Sequence, residues 1–553
     1  MSKAKFLYGI FLTSFLLVIV KLFFTQIITP QSVTVETYLK TKQIIPERGS
    51  IFDRNRNPLV LNQNSYLLYV EPKKIQDKAL TVKKLSSVLE IEEASLEAKI
   101  DDSKYWISIK SGIEEDRKKS IEKLGLKGLG FEYAMKRYYP EASLSAHIVG
   151  FVGKNTENED IGYFGIEGFY DKDLKGLPGI LESERDLFGK PMIIGMQEKV
   201  NPEHGRDLIL TIDKTVQEIS KRKLLQGLDS YKAKEGCVVT ANPKTMEILA
   251  MVCLPDYDPS KYFLFDEKDF KNPILSDLYE PGSTFKPLIV AAALQEKKIR
   301  ADDFYDEKGS VEVGEYRIKT WNDKYEGKIT ITRILEKSSN VGMVHIGNKL
   351  GNDLIYSYLK KYGFGEKTQI DLQGEIEGYI KPKQDWYPID YATVTFGQGI
   401  AVSPIRMLAA FSSIINGGDL MRPSLVNSMV DADGIRVLKP KLERTILSDM
   451  TSAIVKKMLV STVENGEIKW LKPKGYKIGG KTGTAQIPIK GHYDPSKTIA
   501  SFIGFAPADD PKFITLVILK EPQSSPWGSE TAAPLFFDIA KELIVYYNIA
   551  PGQ

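Results

Sequence analysis

From Phe6 to Ile28 the chain is apolar apart from Lys21, Gln26 and a few small hydroxyl residues. As a helix, such a run spans roughly 30 Å, the thickness of a bilayer's hydrocarbon core. A segment of this kind constrains everything attached to it, because the rest of the chain must fold on one side of a membrane. Lys3 and Lys5 lie ahead of the run, and positive charge on a short leading tail holds that end in the cytoplasm. The expected arrangement is a cytoplasmic tail and transmembrane anchor over residues 1–30, with membrane contact through 6–28 and residues 31–553 outside the cell (inner or cytoplasmic) membrane. A cleaved signal peptide shares the charge-then-apolar pattern but needs small residues at its cleavage site. The chain instead reads Thr25-Gln26-Ile27-Ile28-Thr29-Pro30. Lys21 is read as snorkelling to the interface, with contact to a partner's transmembrane helix as the alternative.

A chain of 553 residues exceeds what one core holds, so two or three folded units are expected. Lys and Arg total 75 against 72 Asp and Glu, too even a balance for a nucleic-acid-binding field. The two cysteines, Cys237 and Cys253, lack CxxC spacing and cannot form a disulfide framework or a zinc site. They read as core residues outside the catalytic motifs, with a bond between them left open.

Residues 31–205 carry short strands and charged helices, such as Thr81 to Ile100 with apolar residues at helical spacing, punctuated by glycines at 150–168 and 176–179. This half reads as an irregular α+β pedestal. A second unit, 206–553, opens with a short strand after Gly205 and a helix that Asp213 can cap. Two β-rich runs flank Asn242-Pro243-Lys244-Thr245 as a hairpin, and helices are expected to dominate up to Gly475. Strand signals return at Thr498–Ala506 and Phe513–Lys520, and Thr531–Tyr547 reads as a terminal helix. Strands at both ends with helices between indicate an α+β domain whose mostly antiparallel sheet is closed by the chain's two ends.

The pattern Ser-x-x-Lys occurs at Ser2, Ser120, Ser220, Ser283 and Ser357, so it selects nothing by itself. Four copies lie in the leader or in charged segments, where a solvated Ser and Lys is the ordinary reading. Ser283 follows the turn Pro281-Gly282 and precedes the apolar run Leu288–Leu294, which places it in the first turn of a buried helix. Residues three apart share a helix face, so the Lys286 amine is expected to reach the Ser283 hydroxyl as a base beside a nucleophile. A lysine works as a base near neutral pH only when burial or a nearby cation lowers its pKa, and Lys481 is the candidate second cation. Ser338-Ser339-Asn340 and Lys481-Thr482-Gly483-Thr484 follow in order, each at an expected element boundary. The three together resemble the acyl-serine signature of penicillin-recognising enzymes. Neither G-x-S-x-G nor H-E-x-x-H is present, and His147, His204, His345 and His492 are scattered away from these motifs. They read as structural or surface residues.

The chain resembles the class B penicillin-binding proteins, most of all their cell-division type. The likeness rests on Glu47-Arg48-Gly49-Ser50-Ile51-Phe52-Asp53-Arg54, Arg137-Tyr138-Tyr139-Pro140, His147-Ile148-Val149-Gly150 and Gly165-Ile166-Glu167-Gly168. In the second half it rests on Phe396-Gly397-Gln398-Gly399, Gly479 to Gln486 and Ala500 to Pro507. Two departures, Arg56 and Ser529 where the family has glycine, are expected to lie away from the catalytic triplet and to affect local loop shape rather than chemistry. The resemblance implies a transpeptidase-like domain at 206–553, a dimerisation-like pedestal at 31–205, and cross-linking of peptidoglycan stem peptides through acyl-Ser283. It further implies Lys286 as base, Ser338 as proton relay, Asn340 as amide-orienting group and Lys481 as anchor for the terminal carboxylate. Thr482, Gly483 and Thr484 complete substrate binding, with backbone N–H groups of Ser283 and Thr484 holding the oxyanion. No metal or organic cofactor is needed. Implied partners are β-lactams, a membrane glycan polymerase and other division proteins. Cell elongation, D,D-carboxypeptidase action and a non-turnover β-lactam sensor or scaffold are the alternative readings.

Overall fold

The computed structural model describes residues 2–28, 39–157, 159–184, 197–489 and 492–552. Its contacts divide the chain into two units, residues 1–46 with 176–204, and residues 47–175 with 205–553.

In the first unit, helix α1 (Ser2–Phe23) is followed by a π-helical turn, Phe24–Ile28. The stretch Lys3–Phe23, 21 residues with mean hydropathy 2.2 and no buried share, is the one described helix long and apolar enough to cross a membrane. The unit also holds three antiparallel strands, Leu39–Ile44, Gly179–Glu184 and Gln197–Val200, in that order.

The second unit contains a seven-stranded sheet that runs Gly434–Val437, Val426–Asp431, Asp207–Leu210, Ile51–Phe52, Pro58–Val70 and Ile107–Ile113, with Leu129–Tyr138 also pairing Pro58–Val70. Strand Asp207–Leu210 pairs Ile51–Phe52 on one side and Val426–Asp431 on the other, so the sequence boundary at 205/206 runs through a continuous sheet. The helical spacing around Thr81–Ile100 resolves into two helices, Lys78–Leu89 and Glu93–Lys99. Their Val82, Leu85, Leu89 and Leu96 bury against Leu68, Val70 and Ile109 of the strands.

Asp213 accepts the Thr215 and Val216 N–H groups and so caps helix α2 (Lys214–Tyr231). The hairpin follows as strands β1 (Glu235–Ala241) and β2 (Ile248–Leu254), with Cys237 and Cys253 directly opposite and disulfide-bonded. After helix α3 (Lys286–Gln295), helix α4 (Asn340–Leu350) and helix α5 (Asp449–Asn465) come strands β3 (Gly479–Ile489), β4 (His492–Ala506) and β5 (Phe513–Lys520). Helix α6 (Ala532–Tyr546) follows. The central sheet has the order β2-β1-β5-β4-β3 and is antiparallel throughout, closed by the two ends of the domain.

Period-two alternation makes this sheet the middle of three layers. Val239, Ile503, Phe505, Ile514 and Leu516 face one core, with Leu288 to Leu294 of α3. Val238, Phe502, Phe513 and Val517 face the other, with α2 and α6. The region before Gly475 is mostly helical, as expected, with short strands added. It holds two-stranded sheets pairing Phe304–Glu307 with Gly327–Thr330, Val311–Val313 with Tyr316–Ile318, and Asp419–Arg422 with Lys441–Thr445. These strands are short and rich in charge, so they carry little alternating signal.

Candidate active site

Residues Lys286 to Leu294 of α3 are all buried. A helix apolar on every side except its first residue is placed in a core by its neighbours, and it takes that residue with it. Lys286 is thus fully buried, immediately after a 3-10 turn, Gly282–Phe285, that carries Ser283. Gly282 has φ +54° and donates to the Gly397 carbonyl at 3.1 Å. A Cβ on Gly397 would meet the Gly282 oxygen at 2.2 Å, so the Phe-Gly-Gln-Gly motif is the floor of the nucleophile turn.

The Lys286 amine donates to the Ser338 carbonyl at 2.6 Å, the Ser338 hydroxyl at 3.1 Å and Asn340 Oδ1 at 2.8 Å. The direct Ser283–Lys286 bond expected from helical spacing is absent, and among the described residues the Ser283 hydroxyl has no hydrogen-bond partner. The amine is taken up instead by Ser338 and Asn340, partners that helical spacing does not reveal. Ser338 is left-handed at φ +57°, which costs a non-glycine residue roughly 1–2 kcal/mol. Ser339 then caps α4 by accepting the Gly342 N–H.

Lys481 lies on β3, buried, with its amine 3.2 Å from both the Thr482 carbonyl and hydroxyl oxygens. Gly483 is required there, since a Cβ would meet Ser501 Oγ at 2.5 Å and Thr284 at 2.8 Å. Ser283, Ser338, Asn340, Thr482 and Thr484 line one cleft. None of the described histidines lines it; His147 is buried against the Asp269 carbonyl and His345 stacks on Tyr305.

Burial pushes the Lys286 amine well below the usual lysine range, Lys481 pushes it further, and Glu467 opposes. Burial lowers Lys481 to about 8, with Glu467 again opposing. Both amines thus hold their protons less tightly than an exposed lysine, chiefly because burial disfavours the charged form.

Trp321, Glu467 and Trp527 also line the cleft, and none is marked by sequence. The two indoles approach to 5.2 Å between ring centres from separate loops. The Gly528-Ser529 departure is corrected as well. Gly528 donates to Thr484 Oγ1 at 3.0 Å, a Cβ there would meet the Gly483 oxygen at 2.2 Å, and Ser529 lines the cleft. That departure lies at the site, not away from it.

Comparison with known families agrees with this geometry. A family model described as the penicillin binding protein transpeptidase domain matches residues 236–541, and one for the penicillin-binding protein dimerisation domain matches residues 43–210. The chain belongs to the penicillin-binding protein transpeptidase family. Among relatives of this penicillin-binding protein, Stage V sporulation protein D of Bacillus subtilis is 35% identical over 555 residues, covering 98% of this chain and 85% of the relative. Peptidoglycan D,D-transpeptidase FtsI of Escherichia coli is 30% identical over 541 residues, covering 95% and 88%. The crystal structure of a peptidoglycan synthetase from Bifidobacterium adolescentis superposes with a TM-score of 0.75 at 26% identity, covering 93% of this chain and 98% of that one.

Proposed function

We propose that this penicillin-binding protein is a peptidoglycan D,D-transpeptidase that works through an acyl intermediate on Ser283. The observation that carries the reading is a fully buried Lys286 amine, hydrogen-bonded to Ser338 and Asn340 and facing a second buried lysine. A neutral amine in that place takes the Ser283 proton as the hydroxyl attacks the penultimate carbonyl of a D-Ala-D-Ala stem. Backbone N–H groups of Ser283 and Thr484 hold the oxyanion. Ser338, bonded to the amine, returns the proton to the leaving D-Ala; Asn340 orients the substrate amide. Lys481, charged below about 8, attracts the terminal carboxylate together with Thr482, and Gly483 leaves room on β3. An acceptor amine from a neighbouring stem then releases the acyl group as a cross-link. The same serine would be acylated by β-lactams.

The reading includes an anchor over 1–30 with its amino terminus cytoplasmic, a pedestal over 31–205 and a catalytic region over 206–553, acting with a membrane glycan polymerase in septal wall synthesis. The 30% identity to FtsI supports the septal role. The 35% identity to a sporulation protein favours a second reading, wall synthesis during sporulation, which a deletion strain would separate by failing to sporulate while still dividing. Labelling with fluorescent penicillin and mass mapping of the modified peptide tests the site. Label on Ser283, abolished in Ser283→Ala, is expected; label on another serine rejects the assignment. Release of D-Ala without cross-links, with acceptor and polymerase supplied, would make the enzyme a carboxypeptidase.

A further inference from the structure

Beside the Ser-Ser-Asn turn lies a carboxylate that none of the motifs contains. Glu307 ends the strand Phe304–Glu307, and its side chain is wholly buried. Its Oε1 accepts the Ser339 hydroxyl, and its Oε2 accepts the Lys337 ammonium at 2.5 Å and the Glu326 N–H at 3.1 Å. Left-handed Ser338 lies between these two anchored residues. The Ser339 oxygen also accepts the Gly342 N–H at 3.0 Å, so the carboxylate bears on the cap of α4 as well. Every atom that the Lys286 amine bonds belongs to this stretch, Ser338 or Asn340.

We propose that Glu307 is a positioning residue for acyl transfer, holding Lys337 and Ser339 so that Ser338 stays left-handed and sets the place of the Lys286 amine. The proposal rests on the acyl-serine reading above and deepens it. A non-glycine residue persists in that conformation only when its surroundings over-determine it, and a clamp on each neighbour does so. The clamp needs two acceptor oxygens, one for a buried cation and one for a hydroxyl. A glutamine offers only one and turns an N–H₂ toward the other donor. The alternative role, neutralising Lys337 and nothing more, predicts a different result in a double variant.

The test uses the full-length protein in detergent, following the fluorescent penicillin acylation rate against pH alongside thermal unfolding. Glu307→Gln, isosteric with the wild type, and Glu307→Ala/Lys337→Met, which leaves no unpaired charge, are compared with Ser283→Ala. Both Glu307 variants should melt cooperatively yet acylate about 10²-fold more slowly, the usual cost of displacing a catalytic group by an ångström. The rising limb of the rate–pH profile should move to higher pH, because a loosened Ser338 admits water to the Lys286 amine. The charged groups facing that amine, Lys481 on β3 and Glu467 after α5, are untouched in both variants. If Glu307→Gln fails to fold, the double variant decides. A double variant with wild-type rate and an unmoved limb overturns the proposal and leaves Glu307 as the counter-ion of Lys337. If Ser283→Ala is itself labelled, the acyl-serine reading fails and the proposal with it.

Discussion

Two groups of cations in one folded unit are treated in opposite ways. Arg48 and Arg137 converge on the buried Glu167 at 2.6 Å each, and Asp171 adds a contact to Arg48 at 2.8 Å. Burial works against the Arg48 charge, but Glu167 and Asp171 outweigh it, and its proton is held more tightly than usual. Lys286 and Lys481 are buried more deeply, yet among the described residues no carboxylate lies within ion-pair distance of either. The first group has matched charge and joins segments far apart in the chain. The second has unmatched charge, and the result is a nitrogen that gives up its proton.

The difference extends to stability. A lysine whose folded pKa lies below its unfolded value binds fewer protons when folded, so stability rises with pH through the window between the two. At neutral pH, below that window's upper end, the lysine pair therefore opposes folding. Replacing Lys286 by Met should lower the β-lactam acylation rate by about 10²–10⁴ if the amine is the general base. The melting temperature at pH 7 should not fall; a clear drop in differential scanning would mean that the amine is stabilising and the contrast is wrong.

Glu167→Ala should do the reverse. It leaves Arg137 without its carboxylate and Arg48 with Asp171 alone, and should cost about 3–5 kcal/mol in denaturant unfolding. The protein that remains folded should label at close to the wild-type rate. A loss of labelling without loss of stability would make this junction part of the catalytic machinery.

Lys481 lies between these extremes, being buried but charged below about 8. Lys481→Ala should weaken ligands that carry the carboxylate by about 1.5–3 kcal/mol, and ligands that lack it by less. In the wild type, recognition of the carboxylate should decline as pH rises through about 8, because the neutral amine no longer attracts it. Equal affinities at pH 7 and pH 9, measured as inhibition constants for a non-acylating carboxylate, would contradict the assignment.

Backbone strain makes the smallest comparison. Arg56 has φ +64°, in a turn whose polar groups are organised by Asp53. It does not line the cleft. Arg56→Gly should gain up to about 1 kcal/mol in unfolding, since glycine adopts this conformation without steric cost but loses more chain entropy. Ser338, left-handed at φ +57°, should instead lose acylation when replaced by glycine, because its hydroxyl and its restraint on Lys286 are both used.

Much of this organisation was legible in residue order. The apolar run of α1, the Asp213 cap, the hairpin that pairs Cys237 with Cys253, and strands β4 and β5 of the central sheet all depend on local periodicity or a single capping side chain. The choice of Ser283 over four other Ser-x-x-Lys copies also followed from its neighbours, a turn before it and a buried helix after it. The partners of Lys286 did not follow, because they lie 52 and 54 positions away and helical spacing pointed to Ser283 instead. Glu307, Glu467, Trp321 and Trp527 gave no signal, since each reaches the site from a loop or element end that carries no periodic pattern. Sequence by itself determined which groups could react and in what order they occur. Tertiary structure alone decided how loosely these lysines hold their protons, because desolvation and the absence of a counter-charge depend on what several distant segments bring around one nitrogen.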